Sequence, residues 1–166
     1  GLKKTVSFEP FAPVADLADC NIQFNEYPPD RFNLERVALG AKNQTAKYLP
    51  GPTSNTGEGR LVEATAGAND TISVITLDSY LESRNTPAPT IMKLDVEGSE
   101  LDIFVGAENL LSNTPPHTIV FEADCEPDSS IQNSRIVKLL KESGYSIKAL
   151  PKSYEGPKRN YLATLN

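Results

Sequence analysis

A chain of 166 residues has the length of one domain and can close a hydrophobic core without metal or disulfide staples. Its net charge of −6 excludes a general nucleic-acid binder, which needs a basic face. With 39% apolar and 23% charged residues it reads as a soluble globular protein, and no apolar run nears the roughly 18 residues that span a bilayer.

The first predicted element is a short strand, "KTVSFE" (4–9). Pro10 and Pro13 follow it, then Val14, Leu17 and Ala18 at helical spacing, with Pro13 near the first turn, where a helix tolerates proline. "RFNLERVAL" (31–39) alternates as a strand does and is closed by Gly40. Residues 40 to about 71 are rich in Gly, Asn, Thr, Pro and Ala. The loop "PGPTSNTGEG" (50–59) lies there, with "AKYLP" and "RLVEA" as short strands beside it. "TISVITLDSYL" (71–81) is a strand running into a short helix. A strand over 90–95 and a helix over about 99–111 come next, with Asp102, Gly106 and Asn109 on one narrow solvent stripe.

"HTIVFEA" (117–123) is a strand, with His117 at its start rather than in a catalytic role. "SSIQNSRIVKLLKESGY" (129–145) is an amphipathic helix with a serine cap at its start and Gly144 just past its end. "YSIKAL" (145–150) and "RNYLATL" (159–165) close the chain as an antiparallel pair. Strands alternating with helices predict a mostly parallel α/β sheet. Cys20 and Cys125 are far apart, fit no metal spacing and read as buried thiols, which suits a reducing, cytoplasmic location.

Three predicted parallel strands end in an acid: "TVSFE" at Glu9, "IMKLD" at Asp95 and "TIVFE" at Glu122. Ligands of open α/β sheets sit outside the carboxyl ends of the strands, so these acids line a candidate rim. There a carboxylate can accept from ribose hydroxyls or take the proton of a reacting hydroxyl. A structural role competes with each. Glu97 and Glu100 flank a helix start, where acids are favourable by about 0.3–1 kcal/mol each, and Ser99 can cap it. Glu100 is assigned to the first turn. Lys93 and Asp95 lie two apart on a strand, face the same way, and can form an ion pair. The twelve-residue spacing of a calcium loop is absent.

In this order the segments resemble the FkbM family of S-adenosylmethionine-dependent methyltransferases. "IMKLDVEGSELDIFVGAENLL" (91–111) is close to the family's Lys-x-Asp-x-Glu-Gly-x-Glu block. "VSFEPFAPVADLADCNIQFN" (6–25), "RVALG" (36–40), "VITLDSYL" (74–81), "IVFEAD" and "LLKESGY" fall where the family's other segments are expected. The resemblance implies a class I methyltransferase (Rossmann-like) fold, mostly parallel with an antiparallel C-terminal edge strand. It also implies methyl transfer from S-adenosylmethionine to a hydroxyl of a sugar or natural-product acceptor. By position, Glu9, Pro10, Ala38, Leu39 and Asp95 would bind the donor. Asp95, Lys93 and Glu97 would be catalytic, Glu122 would bind the acceptor, and no metal is required. Which acid is the base stays open.

The family's first strand and glycine-rich donor loop would precede residue 6, and no Gly-x-Gly-x-x-Gly occurs here. The expectation is therefore one domain over 1–166 that lacks the first strand and helix and is N-terminally incomplete. Two other readings stand beside the enzyme. One is a non-catalytic methyltransferase-like binding module or inactive fragment. The other is an unrelated divalent-cation hydrolase using Asp95, Glu97 and Glu122.

Overall fold

The structure is a computed structural model and describes residues 4–28, 30–51, 59–62, 70–124, 134–151 and 158–166. The chain divides into two compact units, residues 1–75 and 76–166, and each is taken by itself.

In the first unit β1 (Thr5–Phe8) runs into α1 (Ala12–Phe24), as the sequence predicts. Pro13 sits in the first turn, where backbone amides have no partner within the helix. α1 buries only Ala15 fully. At 100° per residue Cys20 lies about 140° around the helix from Ala15, and it is exposed rather than buried as expected. Cys125 lies outside the described residues.

β2 (Phe32–Glu35) pairs parallel with β1, Thr5 opposite Phe32. The strand expected to run unbroken over 31–39 is in fact two. Arg36 leaves the ladder to pair with Asp16 and Asp19 of α1 at 2.7 and 2.6 Å. Those hydrogen bonds, Asp16's first, hold its guanidinium above the usual arginine range. From β3 (Ala38–Leu39) the chain joins a different sheet, where β3 lies parallel to β6 (Asp70–Ile75). Alternation cannot reveal such a change, because both halves keep the period of two.

β4 (Gln44–Leu49) and β5 (Arg60–Val62) are the short strands expected beside the loop. They pair antiparallel, β4 also pairs antiparallel with β6, and the order is β3-β6-β4-β5. Gly40 lets β3 end close against β6. Its amide donates to the Ile75 carbonyl at 3.0 Å, and a Cβ there would come within 2.7 Å of Val74.

The second unit opens with α2 (Leu77–Ser83), capped by Thr76, whose Oγ1 accepts from the Ser79 amide at 3.1 Å. β7 (Ile91–Leu94) follows. The helix expected over 99–111 is divided into α3 (Glu100–Val105) and α4 (Glu108–Asn113). Gly106, at the break, is buried, and Val105 is 42% exposed. The expected solvent stripe through Gly106 is not formed.

Neither half has a local side-chain cap. For α4 the cap comes from another element. Asp78 of α2 accepts from the Asn109 and Leu110 amides at 2.8 and 2.9 Å, and its own amide donates to the Gly106 carbonyl at 3.0 Å. Thr76, Leu77 and Asp78 thus have separate tasks: Thr76 starts α2, Leu77 is buried in the core, and Asp78 ties α2 to α4.

β8 (Thr118–Asp124) lies parallel to β7, and exposed His117 precedes it as expected, its Nδ1 lying 3.0 Å from Thr118 Oγ1. α5 (Arg135–Glu142) begins later than the predicted helix. Ser134 caps it by accepting from the Val137 amide at 3.2 Å, and residues 129–133 lie outside the described residues. Gly144 (φ +90°) ends it as expected, in a conformation that L side chains disfavour. β9 (Tyr145–Ala149) and β10 (Lys158–Leu165) form the expected antiparallel pair, and the order is β7-β8-β10-β9.

The core lies on one face of this sheet. Ile119, Phe121, Tyr161 and Ala163 are buried there, Phe104 of α3 meets Phe121 edge-on at 5.9 Å, and Val137 and Leu140 of α5 are fully buried. Tyr145 donates its hydroxyl to the Pro116 carbonyl at 2.5 Å, and burial pushes its phenol up to about 12.

Among the described residues three strand pairings are parallel and four antiparallel. The fold is a mixed α/β one, less uniformly parallel than the alternation of elements predicts. No helix among the described residues is long and apolar enough to cross a membrane.

Candidate active site

At one end of the β7–β8 pair the register places Leu94 beside Phe121, and Asp95 and Glu122 are the next residues on their strands. β10 runs the other way, so its first residue, Lys158, starts at this same rim, opposite Asp124. Alternation puts Lys158 and Asn160 on the face that carries Glu122.

The predicted ion pair forms: Lys93 Nζ donates to Asp95 Oδ2 at 2.6 Å. Both side chains are at least half exposed, and a pair in that setting contributes about 0–1 kcal/mol. Asp95 is therefore held by a solvated partner that a ligand can displace.

Beyond Asp95 the backbone reverses through Glu97 (φ +50°) and Gly98 (φ +96°). Glycine adopts this left-handed region freely, whereas a residue such as glutamate is disfavoured there by about 1–2 kcal/mol. The turn delivers the Glu97 carboxylate to Lys158, which donates to Glu97 and also pairs with Glu122 Oε2 at 3.2 Å. The Glu122 side chain is 11% exposed. Burial pulls the Lys158 ammonium down, but the hydrogen bonds to Glu97 and Glu122 outweigh it and hold the group above the usual lysine range.

Glu100 takes the first-turn position assigned to it and is buried, with the Gly98 amide 3.4 Å from its Oε1. Ser99 makes no side-chain cap hydrogen bond, contrary to expectation.

In the first unit, Glu9 follows β1 and accepts from the Phe11 amide at 2.9 Å. Burial raises its carboxyl above the usual range, partly opposed by that hydrogen bond. Phe11 stacks on Tyr48 of β4 with ring centroids 4.8 Å apart. The Tyr48 phenol is raised by burial and, secondarily, by the Glu9 charge. Pro10 is half-buried. Ala38 is buried opposite Val74, and Leu39 is half-buried opposite Ile75.

Of the residues singled out in the sequence, Glu97 and Glu122 meet at one cation, and Lys93 and Asp95 meet each other. Lys158 was not among them. A signal for it existed: the first residue of a final antiparallel strand starts at the rim where the parallel strands end. A divalent-ion hydrolase needs its carboxylates free to converge on a metal, whereas here the Lys158 ammonium bridges Glu97 and Glu122.

A family model described as Methyltransferase FkbM domain matches residues 1–147. The chain belongs to the FkbM methyltransferase family. Among curated proteins it is similar to the hexuronic acid methyltransferase AglP of Haloferax volcanii, 27% identical over 136 residues, or 82% of this chain and 53% of that one. Its fold is similar to the crystal structure of Methyltransferase FkbM from Methylobacillus flagellatus KT. The TM-score is 0.62 at 17% identity, covering 97% of this chain and 36% of that chain. The chain thus spans about half the length of the curated relative and about a third of the structural one.

Proposed function

We propose that the chain is an S-adenosylmethionine-dependent O-methyltransferase domain that methylates a hydroxyl of a sugar or natural-product acceptor. The observation that carries this is the cluster past β7: in a chain of this family, Glu97, two residues beyond Asp95, and Glu122 of β8 share the Lys158 ammonium. The family match runs across both compact units, which supports reading them as one class I methyltransferase domain. The parallel β7–β8 pair followed by the antiparallel β10–β9 finish suits that class.

The residues fit the donor. Glu9 uses one oxygen for the Phe11 amide and keeps acceptor capacity for ribose hydroxyls. The Phe11–Tyr48 pair gives a flat apolar surface close by, and Pro10, Ala38 and Leu39 complete the set assigned to donor binding. The donor supplies an activated methyl on a sulfonium. The chain's part is alignment, since an in-line displacement depends chiefly on holding the reacting atoms near contact.

Asp95 takes the hydroxyl proton. A positioned carboxylate in that role adds about 10²–10⁴-fold. Lys93 orients Asp95, and Glu97 and Glu122 receive the acceptor's other hydroxyls. The similarity to a hexuronic acid methyltransferase supports a sugar acceptor. The exposed thiol of Cys20 suits a reducing, cytoplasmic setting.

Titration calorimetry with S-adenosylmethionine tests the donor half. The expected result is micromolar binding, weakened about tenfold or more in Glu9→Ala by loss of a charged hydrogen-bond acceptor. Absence of binding to the folded full-length protein, with any segment that precedes residue 1, overturns the enzyme reading in favour of a non-catalytic module.

A further inference from the structure

Glu97 is held in a backbone conformation that its side chain disfavours, and it sits in a turn followed by a left-handed glycine. A turn of that kind persists only where neighbouring groups over-determine it. One group that reaches this turn comes from 61 residues away: Lys158, at the start of β10, donates to Glu97 and pairs with Glu122 Oε2 at 3.2 Å. All three side chains are less than 30% exposed, so the contact is screened far less than the solvated Lys93–Asp95 pair.

One cation therefore joins the turn after β7 to the third pair from the rim end of the β8–β10 ladder, Glu122 opposite Asn160. Without it the two partly buried carboxylates would lose the cation they share, and like charges at such a distance repel. The Glu97 turn would then have no partner from β10 to hold it.

We propose that Lys158 is the positioning residue of the acceptor site, fixing the Glu97 and Glu122 carboxylates relative to each other so that both present oxygens to acceptor hydroxyls. This rests on the reading of Glu97 and Glu122 as acceptor-binding groups. Lys158 is neither a base nor a donor-binding group in this scheme. It acts through the two acids, and its loss is felt by the acceptor alone.

Two measurements on the whole protein separate this inference from the reading beneath it. Hydrogen–deuterium exchange reads the pinning without turnover. In Lys158→Met, peptides covering residues 96–99 should exchange about tenfold faster, as expected for a local opening, while β8 and β10 keep their protection. Lys158→Arg, which retains a cation and two or more donors, should restore most of the protection. Unchanged exchange at 96–99 in Lys158→Met overturns the inference, and so does faster exchange throughout the second unit.

Kinetics reads the consequence. The KM for acceptor should rise about tenfold in Lys158→Met with the KM for donor within about twofold of wild type, a split that a general loss of structure does not give. Equal effects on both substrates contradict the assignment. If the wild-type protein transfers no methyl group, the methyltransferase reading falls, and the exchange result still decides whether Lys158 pins the turn.

Discussion

Glu9, proposed as a donor-binding acid, is held against the interest of the fold. Burial raises its carboxyl above the usual value of 4.5, and the Phe11 amide offsets part of that. An acid whose pKa is raised on folding favours the folded state in its protonated form. The contribution is complete below the unfolded value and is lost as pH rises through the folded one. Glu9→Gln should therefore melt slightly higher than wild type at pH 7, by about 1–2 °C, with the difference vanishing below about pH 4. The same variant should bind S-adenosylmethionine more weakly. A higher melting temperature with undiminished donor affinity would show that the acid is a structural remnant. Gly40 makes the opposite case, a residue whose smallness is the point. A Cβ there meets Val74 at 2.7 Å. Gly40→Ala should cost about 1–3 kcal/mol by overpacking, read from chemical denaturation, while Gly98→Ala fails for a different reason, its φ of +96°.

Among the elements, α4 depends on a cap that its own sequence does not supply. Asp78→Ala removes the acceptor of two amides at the start of α4, and a lost cap costs about 0.5–2 kcal/mol. The fall in stability should appear as a lower urea midpoint at unchanged slope. Asp78→Asn keeps an acceptor oxygen and should recover part of the loss. This dependence also explains what the sequence could and could not convey. Short-range signals were legible: Pro13 in the first turn of α1, Gly144 after α5, the antiparallel finish of β9 and β10, and the Lys93–Asp95 pair two residues apart on one face.

Signals carried by distant partners were not legible. The helix over 99–111 reads as continuous because its apolar residues keep helical spacing, and only the contact of Asp78 with Gly106, Asn109 and Leu110 shows where it divides. "RFNLERVAL" likewise reads as one strand, and its break at Arg36 becomes clear only with the carboxylates of Asp16 and Asp19 in place. Lys158 belongs with these. Its partners lie 36 and 61 residues before it, and only its place at the start of the final antiparallel strand points to the rim where they sit.

On the scale of the whole molecule, membership of the FkbM family extends over residues 1–147 and so includes both compact units. Glu9, Asp95 and Glu122 read in the sequence as strand-end acids on one candidate rim; β8 in fact runs on to Asp124, and the second unit brings Glu122 together with Glu97 at Lys158. If the chain is a methyltransferase domain, the proton of the acceptor hydroxyl has to leave as the carbon–oxygen bond forms, and Asp95 is the carboxylate assigned to take it. The measurement that bears on this most directly is transfer of tritiated methyl from S-adenosylmethionine to a panel of neutral and uronic-acid glycans. The account predicts label in a glycan methyl ether with the wild-type protein, and a loss of about 10²-fold or more in Asp95→Ala at unchanged melting temperature. Label appearing at the wild-type rate in folded Asp95→Ala would contradict it.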